Sequence, residues 1–202
     1  ASEAYRTLRM NLQFATLDRA MRTLLITSPG AGEGKSTCLA NLAVTMAQVE
    51  QRVIVVDCDL RRPQLHGLFG ISNESGLTNM MVDDKALETP PIQATSVPGL
   101  AILPSGALPP RPADLLGSKR MRTVLERLLQ EADVLLLDGP PVLAAPDAAV
   151  LSAQVDGVLL VVSAGQTKRD HAQHALDRLN KANAHLLGAV LNNASVDMAL
   201  QG

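Results

Sequence analysis

The stretch Ser28-Pro29-Gly30-Ala31-Gly32-Glu33-Gly34-Lys35-Ser36-Thr37 constrains this chain more than any other. It follows a short apolar run, Thr23–Thr27, that reads as a strand. It opens a helix predicted from Lys35 to about Val49, with Leu39, Leu42, Ala43 and Met46 on one face. A glycine-rich loop between a strand and a helix is the setting of a phosphate cradle. Glycine lets the backbone approach an anion without a Cβ clash. The loop amides and the helix N-terminus then face that anion.

A chain folded around such a loop needs strands buried on both faces, and the remaining sequence supplies them. Arg52–Asp57 and Val134–Asp138 are continuous apolar runs ending in acids, and Gly157–Ser163 and Leu186–Asn192 are further strands. Helices are predicted over residues 3–19, at Gly76–Val82, over about Ala113–Glu131, after Asp147 as a cap, and over Lys168–Ala184. Leu100–Leu103 adds a strand inside an irregular stretch from Arg61 to Pro112. This alternation predicts one doubly wound α/β domain, 1–202, with a mostly parallel sheet flanked by helices, the P-loop NTPase fold. Aromatic residues are 1% of the chain against 47% hydrophobic residues overall, so Leu, Val, Ile, Ala and Met must build the core.

Net charge is −2, with no basic stripe, which excludes an electrostatic footprint for nucleic acid. No apolar run reaches the roughly 20 residues that span a bilayer, and nothing reads as a signal peptide. Cys38 and Cys58 form no metal or redox spacing and read as core residues. A reducing cytoplasm is the expected compartment. His171 and His174 share a helix face without a partner acid or cysteine and read as surface residues.

The candidate site residues fall around the loop. Gly30, Ala31, Gly32, Glu33, Gly34, Lys35, Ser36 and Thr37 are expected to hold the phosphates of ATP. Lys35 can reach the β- and γ-phosphates, and the Ser36 hydroxyl can ligate Mg²⁺. Pro29 stands where the first glycine of G-x-x-x-x-G-K-[ST] is usual, and a chance glycine-rich turn is the competing reading. Asp57 and Asp59, two apart at the carboxyl end of a strand, can serve a metal or accept a proton. Asp59 alternatively only starts a turn. Asp138 closes four aliphatic residues as a Walker B acid close to Mg²⁺. Arg61 and Arg62 contact phosphate or a neighbouring subunit, or are simply solvated. Asn192 and Asn193 border the strand ends and are candidates for contact with the nucleotide base.

Together these residues resemble the bacterial tyrosine kinases of capsule and exopolysaccharide export, over nearly the whole chain. The resemblance rests on Glu3-Ala-Tyr-Arg6-Thr-Leu-Arg9, the P-loop, Asp57-Cys-Asp59-Leu-Arg61-Arg62-Pro63, Leu103-Pro-Ser-Gly106, Pro112-Ala-Asp-Leu-Leu116 and Leu137-Asp138-Gly-Pro-Pro141. It implies an ATP-dependent protein-tyrosine kinase. Lys35, Asp57 and Asp59 would be its catalytic residues, with Asp57 as base for the incoming tyrosine hydroxyl. Ser36, Asp59 and Asp138 would serve the metal. It implies that Glu3, Arg6 and Arg9 join subunits into a ring. It further implies a membrane-embedded activator, a polysaccharide co-polymerase, and a cytoplasmic place at the inner face of the cell membrane, reached through that partner or through a missing transmembrane segment.

Two features depart from the family pattern. The usual terminal tyrosine cluster is replaced by Ser195–Gly202, and the sole tyrosine is Tyr5, so the chain is either truncated or has no autophosphorylation tail. No membrane segment is present in the sequence. Two alternatives follow. A MinD/ParA-like switch ATPase would carry a lysine five residues before Lys35, where this chain has Gly30. An ATP-binding ring subunit without its own tyrosine tail would keep the site and lack the acceptor.

Overall fold

A computed structural model describes residues 3–17 and 20–194. In chain order the elements are α1 (Glu3–Ala15), β1 (Thr23–Thr27), α2 (Lys35–Ala47), β2 (Val53–Asp57), α3 (Leu65–Phe69), α4 (Leu77–Val82), α5 (Asp84–Glu88), β3 (Gln93–Ala94), β4 (Leu100–Leu103), α6 (Pro112–Leu116), α7 (Lys119–Leu128), β5 (Val134–Asp138), α8 (Asp147–Ser152), β6 (Gly157–Ser163), α9 (Arg169–Lys181) and β7 (Leu186–Asn192). The strands form one sheet in the order β3-β4-β2-β5-β1-β6-β7. Every pairing is parallel except the short β3–β4 edge.

β1, β2 and β5 are buried at every position. Their residues alternate between two cores, as the two-residue period of a strand requires. Leu24, Ile26, Val53, Val55 and Leu136 pack toward α2 and Leu12 of α1. Leu25, Ile54, Val56, Leu135 and Leu137 pack toward α4, α7, α8 and α9. The parallel register brings Ile26 opposite Asp138, and Asp57 opposite Asp138, so β1, β5 and β2 end together. Their loops converge on one edge of the sheet, the place where open α/β sheets bind ligands.

The predicted helix over 113–131 is broken at Gly117-Ser118. Ser118 accepts a hydrogen bond from the Met121 amide and caps a new helix, α7. Asp147 does not act as a cap. Pro146 holds that position, and the Asp147 carboxylate turns elsewhere. The first helix, predicted over 3–19, ends at Ala15; Phe14 and the following Leu17 are 64% and 76% exposed, and Leu8 and Leu12 are the leucines of the helix that lean on the body. Cys38 and Cys58 are buried core residues, with burial raising both thiols, that of Cys38 to about 11. His171 and His174 are exposed. Ser195–Gly202 lies outside the described residues.

Candidate active site

The P-loop connects β1 to α2 in two glycine-dependent steps. Gly32 and Gly34 hold φ of 79° and 84°, in the left-handed region where a Cβ is strained. Gly34 caps α2 with no side-chain hydrogen bond, so the first-turn amides of the helix are turned toward the cleft. A cleft of about 550 Å³ opens here, lined by Ala31, Gly32, Gly34, Lys35, Ser36 and Thr37 on one side. Asp59, Arg61, Arg62 and Gln64, from the segment after β2, and Pro140, Pro141 and Ala144, after β5, line the other.

Lys35 lies across the floor of this cleft. Its Nζ sits 2.9 Å from Asp138 Oδ1 and 3.6 Å from Asp59 Oδ2, and donates to Ser36 Oγ at 3.1 Å. Ser36 Oγ donates to Asp138 Oδ2 at 2.6 Å. An ammonium thus occupies the centre of the oxygen set assigned to Mg²⁺: one hydroxyl and two carboxylates. These hard oxygens fit that ion. Among the described residues no group of three or more His, Cys, Asp or Glu could hold a metal unaided. Phosphate oxygens and water would complete the shell, as Mg²⁺ favours.

Asp57 sits behind Asp59, fully buried. Its Oδ1 accepts from the Asp59 amide at 3.2 Å, and its Oδ2 from the Gln64 and Leu65 amides at 3.2 and 3.0 Å. It therefore ties the carboxyl end of β2 to the start of α3. Burial pushes its pKa up to about 7, assisted by the Asp138 charge and opposed by the amides and Lys35. Burial also raises Asp138, against the pull of Lys35 and Ser36. Desolvation outweighs the ion pair at that depth.

Three predicted residues lie behind the loop rather than in the cleft. Glu33 turns inward, and its Oε1 accepts from the Gly30 amide at 3.2 Å. Asn192, at the end of β7, donates from Nδ2 to the Glu33 carbonyl at 3.0 Å and packs so closely on Gly34 that a Cβ there would collide with its amide. Its amide nitrogen thus braces the P-loop. Asn193 donates to Ser163 Oγ at 2.9 Å. Glu3 and Arg6 pair at 3.2 Å on the exposed side of α1, whereas Arg9 is half-buried and bonds Gln13. Each three-residue step falls about 60° short of a full helical turn, so a stripe spaced by threes drifts toward the body. Arg61, left open between phosphate, subunit and solvent, is held by Asp147. Sequence reading missed that partnership, because the two residues are 86 positions apart.

Fold and site define a P-loop nucleotide-binding protein. A family model described as ParA: NUBPL iron-transfer P-loop NTPase matches residues 19–200. The tyrosine-protein kinase YwqD of Bacillus subtilis is 42% identical over 191 residues, covering 95% of this chain and 80% of that one. The solved chimerical protein CapA2B2 superposes with a TM-score of 0.90 at 34% identity, covering 96% of this chain and 84% of that one. The kinase domain of the Escherichia coli tyrosine kinase ETK gives 0.89 at 35% identity, covering 95% and 75%. The septum site-determining protein MinD of Pyrococcus horikoshii, complexed with Mg-ADP, stands further off, at 0.69 and 26% identity over 84% and 69% of the two chains. Within the P-loop NTPases, this chain belongs to the bacterial tyrosine-protein kinase family.

Proposed function

We propose that this chain transfers the terminal phosphate of ATP, as its Mg²⁺ complex, to a protein tyrosine. The observation that carries the reading is the cluster of Lys35, Ser36, Asp59 and Asp138 at the joined ends of β1, β2 and β5, with a third acid, Asp57, poised at about 7 beside it. Lys35 would exchange its carboxylate partners for phosphate oxygens, and the α2 amides would face the phosphates. Ser36, Asp59 and Asp138 would hold Mg²⁺, which neutralises phosphate charge when bound. Asp57 would take the tyrosine proton, for which a pKa near neutrality is suited.

Assembly and location belong to the same proposal. The Glu3–Arg6 side of α1 would join copies into a ring, and a membrane-embedded activator would hold the kinase at the membrane face. Control of capsule or exopolysaccharide length and export is the biological role this family suggests. Iron transfer, named for the broad family model, has no counterpart in the buried, separate Cys38 and Cys58.

The test is incubation with ATP–Mg²⁺, an activator segment and a tyrosine-bearing peptide, read as phosphotyrosine by mass spectrometry. Phosphotyrosine that disappears in Lys35→Met is the expected result. None from the parent would overturn the kinase reading. ATP-driven dimerisation without phosphotransfer would instead favour the switch-ATPase reading, against which Gly30 stands.

A further inference from the structure

Arg61 and Asp147 remain once the acids around Lys35 have been placed. Arg61 lies two residues after Asp59 and lines the cleft. Its side chain is 46% exposed, whereas that of Asp147 is 0% exposed. Arg61 Nε donates to Asp147 Oδ2 at 2.7 Å, and Nη2 donates to Oδ1 at 3.0 Å. This two-pronged contact fixes the plane of the guanidinium. It leaves the Nη1 amino group and one Nη2 hydrogen uncommitted to Asp147, on a residue that borders the phosphate site.

The loop that leads from β5 to Asp147, the first residue of α8, is itself tied to the opening of the P-loop. Thr27 Oγ1 donates to the Pro140 carbonyl at 2.7 Å. The Val142 and Leu143 amides donate to the Ser28 and Pro29 carbonyls at 2.8 and 3.2 Å. The seat for Arg61 is thus held in register with the phosphate cradle. A buried ion pair is weak as a device for stability, because the desolvation cost offsets the attraction. A pair with one half sunk in the core and the other half on the cleft is better explained by what the outer half does.

We propose that Asp147 is a positioning residue for phosphoryl transfer: it holds the Arg61 guanidinium at the cleft, directed at the terminal phosphate of the bound nucleotide. Fixed donors aimed at charge that redistributes during transfer lower the barrier without reorganising. The inference rests on the phosphoryl-transfer reading given above.

The experiment measures ATP turnover, ADP affinity and Tm for the parent, Arg61→Ala, Asp147→Asn and the double variant. Arg61→Ala is expected to lower kcat on the order of 10²-fold. Asp147→Asn should lower kcat about 10-fold while ADP affinity stays within about threefold. The double variant should match Arg61→Ala, because Asp147 then has nothing to position. Added guanidinium ion should restore part of the Arg61→Ala turnover, and none in the double variant. Unchanged turnover in Asp147→Asn, an additive double variant, or equal rescue of both would overturn the proposal. Arg61→Lys keeps the charge and loses the fork, and it decides the matter if Asp147→Asn does not fold: turnover near the parent's overturns the seat, and a loss of about 10-fold supports it. A parent that binds ADP but turns over no ATP removes the phosphoryl-transfer reading and this proposal with it. A working parent beside an unaffected Asp147→Asn removes this proposal alone.

Discussion

The carboxyl end of the sheet and the helix α1 carry charge in opposite ways. At the sheet end Asp57, Asp138 and Asp147 are fully buried and Asp59 is 5% exposed, and each oxygen cluster is answered by a cation or an amide of this chain. On α1 the side chains of the Glu3–Arg6 pair are 83% and 56% exposed, and Leu12 is the helix's buried residue. The first region is closed on itself: Lys35 answers two acids, and Glu33 answers a P-loop amide. The second offers charge and apolar surface that the other described residues do not cover. Substitutions in the first should therefore disturb folding and chemistry together, and substitutions in the second should disturb neither within one subunit.

Removing Lys35 strains this contrast most. Lys35→Met deletes the ammonium between Asp59 and Asp138, and phosphoryl transfer should fall on the order of 10²–10³-fold or more. Breaking a buried pair from one side costs roughly 3–5 kcal/mol. Ser36 still donates to Asp138, and protonation relieves an orphaned carboxylate, so the loss of Tm should shrink as pH is lowered toward 5. A Tm equal to the parent's at pH 7.5 would mean that the acids are not coupled through Lys35.

The brace behind the P-loop comes next. Gly34→Ala puts a Cβ at a left-handed φ of 84° and onto the Asn192 amide. Nucleotide affinity should fall by about tenfold or more, since overpacking typically costs 1–3 kcal/mol. Asn192→Ala removes the tie to the Glu33 carbonyl and should cost about 1 kcal/mol, a several-fold weaker affinity. The double variant should bind better than Gly34→Ala alone, because the clash partner is gone. Isothermal titration with ADP reads all three, and an additive pair would disconnect β7 from the loop.

The sheet end was largely legible in the sequence, for a reason the contrast makes plain. β1, β5 and β7 match their expected bounds because apolar runs are closed by Ser-Pro-Gly, by Gly-Pro-Pro and by Asn-Asn. Lys35, Ser36, Asp59 and Asp138 meet because parallel strands in register end together. What stayed hidden depends on contacts distant in sequence. α3 forms where Asp57 accepts its leading amides, and Asp147 reads as a helix cap until Arg61 is seen beside it. The drift of Arg9 away from the Glu3–Arg6 side follows from helix geometry once α1 has a body to lean on.

Asp57 tests the cost of closure. Its folded pKa of about 7 lies above the ordinary aspartate value of about 3.9, so below the lower value both states are protonated and it has no effect. Between the two values the unfolded chain gives up its proton first, and the parent loses stability as pH rises, on the order of a few kcal/mol by pH 7.5. Asp57→Asn cannot titrate. Its stability relative to the parent should therefore improve from pH 4.5 to pH 7.5, measured by urea unfolding, even though an amide serves three N–H donors less well. A relative stability that does not change with pH would show that Asp57 is ionised like an exposed acid. Phosphotransfer should rise through pH 7 in the parent and be lost in the variant.

The smallest effect on the single chain is expected on α1. Glu3→Ala with Arg6→Ala removes a solvated pair, and exposed pairs contribute little, so Tm should move by no more than about 1–2 °C. Phe14→Ser should be equally mild, because its ring is 64% exposed and leaves no cavity. If α1 is the assembly surface, light scattering should nevertheless report a smaller particle for Glu3→Ala/Arg6→Ala while ADP affinity per chain is unchanged. A large fall in Tm would place this face of α1 in the core and erase the contrast between the two regions. An unchanged particle size with an unchanged Tm would leave the contrast standing and move the ring contact off this helix, since nothing within the subunit depends on the pair.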